Sequence, residues 1–260
     1  MEFIAAAIQF APVLGDIESN LKYVESRLAE LAHADLVVLP ELASTGYNFT
    51  DARMANSLAE FPAESAYIEM LSAMARKSNQ YIISGFNEKA NDGIYNSAVL
   101  VSPEGLTGVY RKLHLFMREK QYFKPGNSGL QVYDTGFCRL GMQICFDYLF
   151  PEPWRILAQQ GADMIVHPSN LLTQNAIKAL PGIALMNRVF ILTANRTGTE
   201  GELTFNGNSR ILDPGGDVVT ALSADQSEVM TAVIDPSLSR DKMITELNHV
   251  FEDRRPEQYQ

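Results

Sequence analysis

Three observations in the sequence predict an α/β fold with mixed β-sheets. Short, fully apolar runs alternate with amphipathic stretches along the whole chain. Turn signals at Asn91-Asp92-Gly93 and Asp213-Pro214-Gly215-Gly216 join neighbouring runs as hairpins, whereas parallel strands need longer crossovers. No linker, low-complexity run or solenoid-length repeat divides the 260 residues, so 1–260 reads as one domain.

Taken in order, Phe3–Ile8 is an apolar strand. Asp16 or Ser19 caps a helix in which Leu21, Val24, Leu28 and Leu31 recur every three or four residues on one face. Leu36–Leu39 is a second strand, closed by Pro40. Ile68, Leu71, Met74 and Ala75 place a helix over Ala63–Lys77. Tyr81–Phe86 and Tyr95–Val101 follow as strands, and Lys112 ends another strand-like run. The second half repeats the alternation. Leu140–Ile144, Met164–Val166, Ile191–Ala194, Arg210–Leu212, Val218–Leu222 and Val229–Ile234 read as strands. Glu152–Gln160 is a helix and Ile183–Arg188 is part of another. Strands apolar on both faces require helices covering the sheets.

The composition narrows the function class. With 21 Lys plus Arg against 31 Asp plus Glu, the net charge is −10, and no basic cluster suits a nucleic-acid partner. Hydrophobic residues at 46% and charged residues at 20% suit a globular core and exclude disorder. Glu2 stands where a secretory signal carries Lys or Arg, and no run reaches the ~18 apolar residues of a membrane helix. A cytoplasmic protein without membrane attachment is expected. The four histidines are scattered and there is no HExxH, CxxC or acidic calcium loop, so no metal is expected. Without a P-loop or GxGxxG, no cofactor is expected either.

Cys138 and Cys145 share the run CRLGMQIC. Seven extended residues span about 23 Å at ~3.3 Å each, while a disulfide needs Cα atoms within roughly 7 Å. An uninterrupted strand would therefore keep them apart and on opposite faces. Cys138 reads as a core residue. Cys145, at a strand-to-helix turn, reads as a nucleophile, with the Phe146 N–H placed to donate to an oxyanion.

Two further loops suit the same chemistry. Glu41 follows the strand Leu36–Leu39 and Pro40, where desolvation raises a carboxylate's pKa and suits base work. Lys112, amid Leu113, Leu115 and Phe116, offers a fixed cation for developing negative charge. His114 is an alternative base that would make a Cys–His hydrolase, although a histidine in such a setting more often ties down a loop.

Together PELASTGY around Glu41, YRKLHLF around Lys112 and GMQICFDYLFPEPWR around Cys145 resemble the carbon–nitrogen hydrolases of the nitrilase superfamily. EKQYFKPGN, GADMIVHPSN and DRRPEQY extend the resemblance over nearly the whole chain. It implies a four-layer α-β-β-α sandwich with two mixed β-sheets, Glu41 as base, Lys112 as cationic stabiliser and Cys145 as nucleophile. It also implies that Glu119 positions the lysine and the substrate. Either Glu41 or Glu119 would activate the hydrolytic water. The polar tail, about 244–260, would by composition be a disordered end; by resemblance it is an arm across a homodimer or higher oligomer.

The resemblance points to a small-molecule amide as substrate, with a nitrile as the alternative. Authentic nitrilases of the family typically follow the nucleophile with Trp-Glu, where this chain has Phe146-Asp147. Members acting on ω-amides of dicarboxylic acids tend to carry Arg four residues after the cysteine, where this chain has Leu149, which cannot pair with a carboxylate. Small aliphatic, uncharged amides are therefore expected, with Tyr47, Phe116, Phe146 and Tyr148 as pocket walls and Asn170 as a hydrogen-bonding group. A binding scaffold would have lost one of Glu41, Lys112 and Cys145. A thiol sensor would need a better-placed partner than Cys138, and a glutamine-fed synthetase would need a nucleotide-binding domain.

Overall fold

The computed structural model describes residues 1–259, which form two six-stranded sheets of the same plan. The first runs Glu228–Ile234, Phe3–Gln9, Leu36–Val38, Tyr81–Ala90, Gly93–Ser102, Gly105–Arg111. The second runs Val218–Ala221, Arg210–Leu212, Phe190–Asn195, Met164–Ser169, Arg139–Met142, Tyr133–Asp134. In each, three neighbouring strands are parallel and the strands outside them pair antiparallel.

Alternation along each strand builds the layers. Ala5, Ala7, Leu36, Val38, Ile83, Ala98 and Leu100 share one core with Leu140, Met142, Ile165 and Leu192 of the second sheet. Their neighbours Ala6, Ile8, Val37, Leu39, Ile82, Val99 and Val101 instead meet Val24, Leu28 and Leu71 of the helices Ile17–Glu30 and Ala66–Ser78. The helices Pro151–Gln159 and Asn175–Asn187 pack on the second sheet through Trp154, Leu157, Leu180 and Ala184. The result is the four-layer α-β-β-α sandwich.

Several boundaries moved for identifiable reasons. Asp16, not Ser19, caps the first helix, its Oδ1 accepting from Ser19 N–H at 3.1 Å. The helix expected over Ala63–Lys77 starts at Ala66 rather than Ala63, because Ser65 caps it and Pro62 opens a separate 3-10 turn. The helix over Ile183–Arg188 reaches back to Asn175, hidden in the sequence by the interior Pro181. The run CRLGMQIC is not one strand. It ends at Met142, and Cys145 opens a 3-10 turn over Cys145–Leu149. Opposite-face placement therefore does not apply: both cysteines are free and lie in the same core cluster.

The tail also departs from its composition. Met243–Thr245 pairs with Asn248–His249, and Phe251 is half-buried against the main core. Lys242 Nζ donates to the Asn187 and Arg188 carbonyls at 3.2 and 2.6 Å. Among the described residues no helix is long and apolar enough to cross a membrane.

Candidate active site

Glu41, Lys112 and Glu119 meet in one buried chain of contacts. Lys112 follows the strand Gly105–Arg111, and its Nζ donates to Glu41 Oε1 at 2.6 Å and to Glu119 Oε1 at 2.7 Å. Asn96 Nδ2 donates to the same Glu41 oxygen at 2.7 Å, while Glu41 Oε2 is buried without a hydrogen-bond partner. Both oxygens of Glu119 are engaged. Oε1 also accepts from the Tyr47 hydroxyl at 2.6 Å, and Oε2 accepts from the Phe116 N–H at 3.2 Å.

The electrostatics follow from this packing. Burial disfavours the Lys112 ammonium, but Glu119 and Glu41 outweigh it and hold its pKa above the ordinary lysine value. Burial raises the Glu119 carboxyl above the usual range, against the opposing pull of Lys112. Burial, then the Glu41 charge, push the Cys145 thiol well up, with Lys112 opposing. The resting sulfur is therefore a neutral thiol within Coulombic reach of both Glu41 and Lys112.

Backbone strain gathers here too. Among the described residues six non-glycine residues adopt positive φ; of these Asn79 and Arg188 end helices, a routine use. Three of the others are Leu42 beside Glu41, Met117 two residues before Glu119, and Cys145 itself, at φ 49°, 45° and 42°. Such conformations cost about 1–3 kcal/mol each and collect at functional sites.

Two buried side chains hold the Cys145 turn; in the sequence Asp147 stands out only as half of Phe146-Asp147, and His167 has no assigned role. Asp147 Oδ2 accepts from Ile144 N–H at 3.0 Å and the Tyr110 hydroxyl at 2.8 Å, while Oδ1 accepts from His114 N–H at 3.1 Å. His167 Nε2 lies 2.8 Å from the Cys145 carbonyl. His114 itself is occupied, its Nδ1 2.8 Å from Asp147 Oδ1 and its ring stacked on Phe150 at 3.6 Å. It ties the loop that begins at Lys112 to the loop carrying Cys145.

Burial lowers the pKa of His167 from its ordinary 6.5 to about 4. Between those values the unfolded chain binds the extra proton, so stability is full above pH 6.5 and falls as the pH drops towards 4. The difference is worth about 3 kcal/mol, at ~1.4 kcal/mol per pH unit. His167→Gln keeps an amide donor but does not titrate. Denaturant unfolding should show a shallower stability loss between pH 6.5 and 4 for that variant, and an unchanged slope would remove His167 from the acid response.

A cavity of about 390 Å³ opens beside Glu119. Tyr47, Phe116, Phe49, Tyr122, Leu172 and Leu203 form much of its wall, with Arg118 and Glu202 on exposed positions. Of the expected pocket residues, Tyr47 and Phe116 line this cavity. Phe146 and Tyr148 pack beside it, the Phe146 ring 4.9 Å from Phe116 and 6.3 Å from Tyr148. Asn170 donates from Nδ2 to the Glu41 carbonyl at 2.9 Å, while its Oδ1 is buried without a hydrogen-bond partner. Leu149 is 55% exposed and lies outside the cavity wall; the charged residues on that wall are Arg118, Glu119 and Glu202.

Comparison with known proteins gives the same picture. The profile of the family described as carbon-nitrogen hydrolase matches residues 4–242. A protein named nitrilase from Pyrococcus abyssi is 44% identical over 256 residues, covering 98% of each chain. An N-carbamoylputrescine amidase from Solanum lycopersicum is 31% identical, covering 98% of this chain and 92% of that one. The crystal structure of a carbon-nitrogen hydrolase from Helicobacter pylori G27 superposes with a TM-score of 0.88 at 27% identity, covering 100% and 97% of the two chains. With the sandwich, the three motif loops and a match along almost its full length, the chain belongs to the carbon–nitrogen hydrolase family.

Proposed function

We propose that the protein hydrolyses a small, uncharged aliphatic amide to a carboxylic acid and ammonia through a thioester on Cys145. One observation carries this reading: Lys112 Nζ is wedged between Glu41 and Glu119 while Glu41 Oε2 stays buried and unpartnered. That oxygen is the free base of the cluster. A neutral thiol is a weak nucleophile, so the proton passes to Glu41 as sulfur attacks the carbonyl carbon. Lys112 and the Phe146 N–H stabilise the oxyanion that forms. The C–N bond then breaks as Glu41 delivers the proton to nitrogen, and ammonia leaves. Water adds to the thioester with Glu41 again as base, since both Glu119 oxygens are already engaged. The C–S bond breaks and the thiol is restored.

The 44% identity to a protein named nitrilase favours a second reading, a small nitrile attacked to give a thioimidate. Ammonia release from paired amides and nitriles separates the two. Quenched mass spectrometry should show an acyl adduct on Cys145 with the amide, and with a nitrile an adduct of the whole substrate mass. Cys145→Ala should leave less than about one part in 10⁴ of the turnover, given the size of nucleophile effects. Ammonia release retained in that variant overturns the nucleophile. N-carbamoyl amines or ω-amidodicarboxylates as the best substrates overturn the uncharged aliphatic preference.

We further propose that the chain acts as one domain and that its tail joins two copies, since Ile244, Leu247 and Tyr259 are exposed apolar side chains. Light scattering should report a homo-oligomer, lost on deleting 244–260. A monomer unchanged by the deletion rejects this role.

A further inference from the structure

The Cys145 carbonyl and the Phe146 N–H are the two ends of one peptide group. The carbonyl faces His167 Nε2 at 2.8 Å, and the N–H is the proposed oxyanion donor. We infer that His167 is a positioning residue which, by donating from Nε2 to the Cys145 carbonyl, holds the plane of this peptide and strengthens its N–H as the oxyanion donor. This deepens the hydrolase reading of the site and rests on it.

The surroundings fix which nitrogen carries the proton. A carbonyl only accepts, so Nε2 must be protonated. On the other side Nδ1 lies 3.2 Å from the Thr193 hydroxyl, which can donate to its lone pair; Ser169 Oγ, 3.1 Å from Nδ1 and 3.3 Å from Nε2, lies over the ring face and donates to the His167 carbonyl at 3.1 Å. The ring is fully buried, with the Trp154 indole at 5.5 Å edge-on. Trp154 Nε1 in turn donates to the Asp147 carbonyl at 3.0 Å in the same turn. The imidazole is therefore a neutral, single-tautomer donor in a rigid pocket. Cys145 sits at φ 42°, so its peptide plane needs support from outside the local backbone. A hydrogen bond accepted at one end of a peptide polarises the donor at the other. Such a donor contributes about 10²–10³ in rate, of which the polarisation and alignment supply a fraction.

The test compares two amides of different reach. The Nε2 of Gln in His167→Gln stands where the imidazole Nε2 stood; His167→Asn is one methylene too short. Rates are counted per active site by alkylation of Cys145. His167→Asn should lower kcat about ten-fold with KM within two-fold, and weaken a substrate-like aldehyde that forms a thiohemiacetal on Cys145 in the same proportion. His167→Gln should stay within about three-fold of the parent in both. Equal kcat per site in the two variants, or affinity for the aldehyde unchanged in His167→Asn, overturns the inference. If a variant does not fold, the unmodified protein labelled with 15N-histidine decides. The Nε2-protonated tautomer at neutral pH supports the inference and the Nδ1-protonated one overturns it. Turnover retained in Cys145→Ala would mark failure of the hydrolase reading. A dead Cys145→Ala with equal Asn and Gln variants would mark failure of the His167 inference alone.

Discussion

Lys112→Met is expected to lower kcat/KM by at least about 10³, the upper range for loss of one oxyanion donor, and to destabilise the fold by about 3–5 kcal/mol, as when one partner of a buried ion pair is removed. Two carboxylates share this one ammonium, at 2.6 and 2.7 Å, with no exposed side-chain surface on Lys112. Without it, Glu41 and Glu119 face each other through a neutral side chain, and one of them must take up a proton. That protonated form binds more protons than the unfolded chain just above the ordinary carboxylate range. The variant should therefore regain stability as pH falls and lose it again as pH rises, opposite in sign to the His167 effect. Lys112→Arg should not restore activity, because a planar fork cannot replace a point donor between two single oxygens. Ammonia release and urea midpoints at several pH values test both parts. An active Lys112→Met beside a dead His114→Ala would favour a Cys–His hydrolase, although the bonding of His114 to Asp147 and its stacking on Phe150 argue for a structural task.

How much of this site could be read from the sequence depended on whether its signal was local. The strands were legible because they are apolar on both faces, and the loops of Glu41, Lys112 and Cys145 because they directly follow such runs. Asn96, Asp147 and His167 were not. Asn96 meets Glu41 from 55 residues away, Asp147 meets His114 across 33, and His167 meets the Cys145 carbonyl across 22. Each contact depends on the register of one strand against another, which no local spacing reveals. The Cys145 turn shows the same limit. Alternation favoured a strand to Ile144, but the Asp147 carboxylate captures Ile144 N–H and turns the chain after Met142. Asn170 and Leu149 show the same limit: proximity in sequence to a motif does not determine which way each side chain faces, and Asn170 Nδ2 is taken by the Glu41 carbonyl while Leu149 is exposed.

Gly85→Ala is expected to cut kcat by at least about 100-fold although residue 85 touches no substrate, the scale associated with a ~1 Å misplacement of catalytic groups. The strand Tyr81–Ala90 runs on beneath the Glu41 loop, with Gly85 N–H donating to the Pro40 carbonyl at 3.0 Å and Ala43 N–H to the Gly85 carbonyl at 3.2 Å. A Cβ at Gly85 would stand 2.2 Å from Leu42 N, 2.4 Å from Glu41 Cα and 2.5 Å from the Pro40 oxygen. All three are backbone atoms, so no rotamer change relieves the clash and the Glu41 segment itself must move. Overpacking of this kind destabilises by about 1–3 kcal/mol, but the larger consequence is geometric. Glu41 Oε1 is fixed by Lys112 at 2.6 Å and Asn96 at 2.7 Å, and shifting its main chain drags the base away from both. Gly182→Ala supplies the contrast. It lies in the helix Asn175–Asn187 with open space around the added methyl. It should keep full activity and gain up to about 1 kcal/mol from helix propensity. If Gly85→Ala matches the parent in kcat, the close approach of strand and loop does not position the base. If it loses activity, and Cys145 still alkylates to completion but more slowly than in the parent, the damage lies at Glu41, the base that takes the thiol's proton.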